Sequence, residues 1–395
     1  RRARLTETKR GVRLKKYLPQ VKDFFRRADM LLLALSLACS LYGLIVIASA
    51  TQTYDGGSAQ YVIIQFVAIV LGVLMYALMT VIDVDVFADQ WKWLYAVSAL
   101  LLLLLIPFGQ GSDTTGNNGW LRFAGIGIQP TEFIKLAFIV VLAKHISYLK
   151  SYKDLNSVMS VAQIAGHFLV IFGAIIITAD DLGSALVYFF IFAALLFMAG
   201  LKIYWFVIGL AALAGAVPLL WTYFLSDYQK QRIEAPYNPD IDPTNTGINW
   251  QPHQAQMALA SGQLTGSGLG NGAQTQSDAL PAKHTDFIFA VIGEELGMIG
   301  ACLCILLLVL IVVRCVSVGL KSRDTLSMLV CMGVASMMVF QTFLNVGMCI
   351  GIAPVVGITL PFFSYGGSSV LANFMAMGLV SGIHYRPKPT RFTMY

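Results

Sequence analysis

Charge is scarce in this chain, and the ordinary means of covering a folded surface are missing with it. Only 12% of the 395 residues are Asp, Glu, Lys or Arg, while 57% are hydrophobic; a soluble domain has about a quarter of its residues charged. A water-facing globular surface is thereby excluded. Cysteine is rare as well. The six cysteines (Cys39, Cys302, Cys304, Cys315, Cys331 and Cys349) fall in or at the ends of apolar stretches, and no pair has metal-ligand spacing, which marks them as small buried hydrophobes. No basic run is interleaved with aromatics, so the excess of cations does not suggest a nucleic-acid partner. There is no soluble domain, heptad array or internal repeat. The glycine-rich stretch Gly266 to Gly272 follows no strand and lacks a Lys-Ser or Lys-Thr ending, which argues against a nucleotide loop.

What the chain does have is apolar sequence in runs of about 20 residues, the length that crosses a hydrocarbon core. Ten such spans are expected, at 29–50, 61–82, 91–108, 131–149, 159–178, 182–200, 203–225, 287–316, 325–350 and 366–384. The expected fold class is all-α: a polytopic membrane protein of ten transmembrane helices. Of the 27 Lys and Arg, 11 lie in the first 27 residues. With the gaps between spans numbered alternately, one group collects the tail, Lys92, Lys144, Lys150, Lys153, Lys202, Arg314, Lys321, Arg323, Arg386, Lys388 and Arg391. The other holds only Arg122, Lys230, Arg232 and Lys283. Positive charge is retained in the cytoplasm during insertion, so the basic tail 1–28, the tail 386–395 and both chain ends are expected there. Ala48-Ser49-Ala50 resembles a signal-peptidase site, but the apolar run before it is longer than a signal core, and an uncleaved first span is expected.

Two connections on the other side are long. Gly109 to Pro130 is glycine-rich and polar. Ser226 to Thr285, the large extracytoplasmic loop expected between spans 7 and 8, is interrupted by Pro236, Pro239, Pro243, Pro252 and Pro281. Long loops usually carry function, and irregular backbone is excluded from contact with lipid; chemistry is therefore expected at the outer face. Gly351 to Ser364, broken by Pro354 and Pro361, is expected to fold back against the bundle.

The outer segments carry ordered motifs. Trp120-Leu121-Arg122 is followed by Gln129-Pro130-Thr131-Glu132-Phe133-Ile134-Lys135. Pro281-Ala282-Lys283-His284-Thr285-Asp286-Phe287 runs on to Gly293-Glu294-Glu295-Leu296-Gly297. Asn345-Val346-Gly347 and Pro354 precede Gly357-Ile358-Thr359-Leu360-Pro361-Phe362-Phe363-Ser364-Tyr365-Gly366-Gly367-Ser368-Ser369, and Asp181-Leu182-Gly183-Ser184-Ala185 is a weaker fourth element. Together these resemble the SEDS family (RodA/FtsW/SpoVE-like proteins of shape, elongation, division and sporulation), and the likeness spans 29–385. The resemblance implies a ten-span peptidoglycan glycosyltransferase of the bacterial cytoplasmic membrane. Its substrate would be lipid II, polymerised at the outer face, and its partner a class B penicillin-binding protein. It implies that the essential carboxylate is Asp286.

Read from the residues, Asp286 suits a general base, since a sugar hydroxyl attacks an anomeric carbon only once its proton is accepted; it also suits an N-cap for the next helix. Arg122 and Lys283, with Arg232 and Lys230, are the candidates for a pyrophosphate, while Trp120 and Arg122 could equally be interfacial anchors. Glu132 and Lys135 are one helical turn apart and can pair, in the site or as a structural pair. His284 precedes Asp286, and Ser364, Tyr365 and Ser368 bring hydroxyls to the outer start of the last span. Gln251 stands where the family usually has Gln, although Trp250, Pro252-His253 and Gln263 depart from its pattern. Glu294 and Glu295 are too far along a helix to form a dyad with Asp286. The N–H groups of Gly266 to Gly272 could form an anion nest or a plain turn. No ligand cluster demands a metal, though a divalent cation, Mg or Mn, could screen the pyrophosphate. Two other readings remain open, a lipid II transporter and a non-catalytic scaffold for a transpeptidase. A transporter concentrates ionisable groups at the midplane, whereas here they gather at the outer edge.

Overall fold

The structure is a computed structural model that describes residues 24–54, 57–111, 118–123, 126–223, 225–277 and 279–386. Most of the two basic tails lies outside these. In chain order the helices are α1 (Met30–Ala50), α2 (Ala59–Val81), α3 (Val84–Asp89), α4 (Trp91–Phe108), α5 (Pro130–Tyr152), α6 (Val158–Ala179), α7 (Leu182–Ala199) and α8 (Ile203–Tyr223). They continue with α9 (Asp227–Glu234), α10 (Trp250–Ser261), α11 (Ala273–Gln276), α12 (Ile288–Leu320), α13 (Thr325–Ile350) and α14 (Gly367–Tyr385). Each of the ten expected stretches is helical. Among the described residues, eight helices are long and apolar enough to cross a membrane: α1, α2, α4, α6, α7, α8, α12 and α13. The other two long helices, α5 and α14, are mostly buried.

Helix starts follow local chemistry. Asp29, Ser157, Asp181 and Asp324 each accept a backbone N–H of the first turn, as capping side chains do. The core runs along α13, α5 and α14, with α2 pressed closely on α14. That approach depends on small residues: a Cβ on Gly378 would stand 2.7 Å from the Tyr76 carbonyl oxygen.

One end of the bundle, the basic end, is tied together by ion pairs. There the Asp29 carboxylate takes Arg314 Nε at 2.7 Å, the Asp29 N–H donates to Ser381, and Arg323 bridges Asp83 and Asp85. Asp29 and Arg386 thus lie at the same end. The opposite, loop end differs from an all-α expectation in one respect. The segment after α4 carries a small antiparallel hairpin, β1 (Leu121–Phe123) with β2 (Ile126–Ile128). Leu121 is buried and Arg122 exposed, the alternation that a strand imposes.

The connection between α8 and α12 is more ordered than its prolines suggest, holding α9, α10, α11 and a 3₁₀ turn at Pro239–Ile241. Its glycine-rich part docks into a break in α12. Gly297 has φ 68° and ψ −168°, which opens the helix there and frees backbone groups on either side. Ser267 and Gly268 N–H donate to the Glu294 and Glu295 carbonyls at 3.0 Å, and Met298 and Ile299 N–H donate to the Gln263 and Leu264 carbonyls at 2.9 and 3.2 Å. The loop supplies the bonds that the helix lost, the condition under which broken helices are tolerated in membrane proteins.

Candidate active site

Asp286 lies in the turn that leads into α12. It does not cap that helix: the N-cap is Phe287, with no side-chain capping bond. The turn is held on three sides. Thr285 O accepts from Ser364 Oγ at 2.6 Å, Asp286 O accepts from Asn345 Nδ2 at 2.7 Å, and His284 O accepts from the Tyr365 N–H at 2.8 Å. No hydrogen bond to the Asp286 carboxyl forms among the described residues. Its Oδ2 lies beside Gly357, 3.6 Å from where a Cβ would be. Desolvation pushes the carboxyl up to about 6, against the Arg232 guanidinium, which pulls it down, and with the Asp181 carboxylate, which raises it.

Asp181 and Arg232 face a small cavity between the α6–α7 turn, α9 and the Pro354–Val356 segment. Gln229 Nε2 reaches Asp180 Oδ1 at 3.1 Å and draws α9 onto that turn. Arg232 stacks over Tyr228, 5.4 Å from the ring centroid. Asp181 accepts from Ser184 N–H at 2.9 Å, from Ser184 Oγ at 2.7 Å and from Gln129 Nε2 at 3.2 Å. Burial nevertheless raises its carboxyl above the ordinary range. Behind it, Lys135 Nζ meets Glu132 Oε1 at 2.6 Å, both nearly fully buried. Asp181 feels both charges, so an electrostatic chain leads from Asp286 through Asp181 to the α5 pair. Asp181 and Gln129 lie in the ordered motifs, and Asp181 is also the N-cap of α7. A cap can also be a buried charge, and only the fold reveals it.

The remaining candidates divide. Arg122 is exposed on β1, and Trp120 is half-buried, its ring against Gly127. Lys283 is 1% exposed, with Nζ 2.9 Å from Thr53 Oγ1 and 2.6 Å from the Thr275 carbonyl, over the Tyr54 ring. Its ammonium is turned into the protein. His284 packs against Tyr54, Tyr61 and Tyr365, with Nδ1 3.1 Å from Tyr54 Oη; burial lowers its pKa to about 4, helped by Lys283. It is therefore neutral. Ser364 and Ser368 are buried; Ser364 also accepts from Leu360 N–H at 2.8 Å, and Ser368 from Gln129 N–H at 3.1 Å. Both hydroxyls brace the site. Gln251 is half-buried on α10.

The N–H groups of Gly266 to Gly272 go to carbonyl and hydroxyl oxygens, as in a plain turn; the anion is bound just beyond them, at α11, and it is the protein's own. Glu294 accepts from Gln274 N–H at 2.7 Å, Thr275 N–H at 2.8 Å and Thr275 Oγ1 at 2.6 Å. Glu295 accepts from Ser49 Oγ at 2.5 Å and Gln276 Nε2 at 2.9 Å. Both carboxylates hold the loop to α12 and α1.

The architecture is that of a multi-pass membrane protein with a carboxylate cleft at its loop end. The family model of the cell cycle proteins FtsW, RodA and SpoVE matches residues 29–388. The chain is 33% identical over 376 residues to the probable peptidoglycan glycosyltransferase FtsW of Geobacter metallireducens, covering 92% of this chain and 96% of that one. It is 32% identical over 375 residues to the peptidoglycan glycosyltransferase MrdB of Escherichia coli K12, covering 94% and 97%. Among solved structures it resembles a chain of a peptidoglycan synthase complex that coordinates polymerization and crosslinking, with TM-score 0.74, 29% identity and coverage of 90% and 97%. It also resembles the rod shape determining protein RodA of Thermus thermophilus, with TM-score 0.66, 28% identity and coverage of 90% and 96%. This chain belongs to the FtsW/RodA/SpoVE family and is a multi-pass protein of the inner membrane.

Proposed function

We propose that this chain polymerises lipid II into glycan strands, with Asp286 as the general base. Family membership makes it a peptidoglycan glycosyltransferase. The observation that carries the assignment of the base is a carboxyl raised to about 6 within electrostatic reach of Arg232 and Asp181, both of which line a small cavity, because a base acts best with a pKa near the working pH. A hydroxyl of the acceptor sugar gives its proton to Asp286 as its oxygen attacks the anomeric carbon of the growing strand. The bond from that carbon to the lipid pyrophosphate breaks, the pyrophosphate leaves with the electron pair, and the configuration inverts.

Arg232 and Arg122, with Lys230, are the cations proposed to meet the pyrophosphate, since charge-assisted bonds stabilise a leaving anion. Lys283, Ser364 and Ser368 support the Asp286 turn in this reading. Among the described residues no group of three or more His, Cys, Asp or Glu could hold a metal, and no step here passes through a divalent cation. The proposed topology has ten spans, 29–385, with both ends cytoplasmic and 226–285 outside. A class B penicillin-binding protein is the proposed partner, in keeping with the synthase complex that this fold resembles.

The test uses purified protein and labelled lipid II. Wild type should make polymer, and Asp286→Ala and Asp286→Asn should lose it by at least about 10²-fold, the contribution of a positioned base, with folding intact. Polymer from either variant overturns the assignment.

A further inference from the structure

A cavity of about 650 Å³ opens between α4, α5 and α6, toward the basic end and away from Asp286. Three helices each turn one face to it: Trp91 and Tyr95 from α4, residues 141, 144, 145 and 148 from α5, and residues 163, 166, 167 and 170 from α6. Lys144 uses two of its three N–H groups, on Asp89 Oδ1 at 2.6 Å and Ala88 O at 3.1 Å. One remains.

The two histidines add a second donor. His145 and His167 stack with ring centroids 5.6 Å apart, and their Nδ1 atoms are 3.4 Å apart, so in a neutral pair one Nδ1 carries the shared proton. His167 Nε2 is buried and has no partner among the described residues, lying between the Tyr95 and Phe138 rings. A buried orphan N–H is rarer than a buried orphan acceptor. His167 therefore carries its proton on Nδ1 and donates it to His145 Nδ1, which leaves His145 with an Nε2–H. Gln163 contributes an amide and Trp91 an indole N–H, and no Asp or Glu lines the cavity. A wall of donors calls for an anion. The valines at 141 and 170, the latter 68% exposed, call for hydrocarbon.

We propose that this cavity binds an anionic phospholipid from the adjoining leaflet, its phosphate on Lys144 and His145 and an acyl chain along Val141 and Val170. Basic pockets between helices on the cytoplasmic side bind anionic headgroups, and charge bias assigns this end to the cytoplasm. A free phosphate would leave the apolar wall uncovered.

The full chain, reconstituted in nanodiscs of mixed phosphatidylglycerol and phosphatidylcholine, is released for native mass spectrometry and its retained lipids are counted. Wild type should keep phosphatidylglycerol over phosphatidylcholine, and Lys144→Met should lower that retention roughly fivefold, the value of one interfacial charge. His145→Phe, which preserves the ring stack, and Gln163→Leu, on an exposed residue, should lower it as well; these two decide the matter if Lys144→Met fails to fold. Equal retention of the two lipids, or phosphatidylglycerol retention unchanged in the variants, overturns the proposal. So does stabilisation of the protein by inorganic phosphate equal to that by phosphatidylglycerol.

Discussion

Asp286 carries two costs at once, desolvation and a carboxylate neighbour, and both can be read by titration. Because a base must be unprotonated, kcat/KM should fall as pH drops through about 6, the limb that reports the free enzyme. Arg232→Gln removes the charge that lowers Asp286, so its limb should move to higher pH; Asp181→Asn removes the one that raises it, so its limb should move lower. A pH–rate profile of the three proteins checks both signs. The same shift bears on stability. Since the folded value lies above the ordinary carboxylate value, the fold favours the protonated form, and stability is full at low pH and declines as pH rises through about 6. Asp286→Asn should abolish that decline and at neutral pH stabilise by on the order of 2 kcal/mol, measured as a raised thermal midpoint. The motifs around Asp286 and Asp181 were legible in sequence; the burial of Asp181 and its action on Asp286 were not, because they are decided by helices about 100 residues apart in the chain.

At the scale of elements, the glycine-rich loop and the break in α12 depend on each other. Glu294→Gln would set an amide NH2 against either the Gln274 or the Thr275 donor, leaving at least one N–H without an acceptor at a cost of about 1–3 kcal/mol. Hydrogen exchange of residues 263–276 should accelerate, while the basic end stays protected. Gly297→Ala faces a left-handed φ and a Cβ 2.4 Å from the Gly266 nitrogen, and should disturb the same segment. Sequence offered Gly266 to Gly272 as an anion nest or a plain turn. It did not show that the Glu294 carboxylate is held by Gln274 and Thr275 instead, since Glu294 sits about 20 residues further on, inside what reads as an uninterrupted span. The α5 pair was legible from its one-turn spacing. Lys135→Ala should be strongly destabilising, about 3–5 kcal/mol, because it strands Glu132, and Glu132→Gln with Lys135→Met should recover much of the loss in thermal unfolding.

For the whole molecule, apolar run length foretold where the long helices lie, because it follows directly from the solvent that the chain must cross. The docking of the loop was not legible, since it depends on contacts between distant segments. The proposed topology predicts that a cysteine at Arg122 reacts with a membrane-impermeant maleimide in intact cells and one at Lys153 only after lysis; the reverse pattern would invert the molecule. The split in α12 also bears on biogenesis. Residues 263–268 leave the ribosome before α12, so the α12 groups that they bond do not yet exist when they emerge. Under the proposed topology the segment must wait on the far side of the bilayer until α12 has been threaded in, and a chain truncated before Met298 would leave it undocked there and open to proteases.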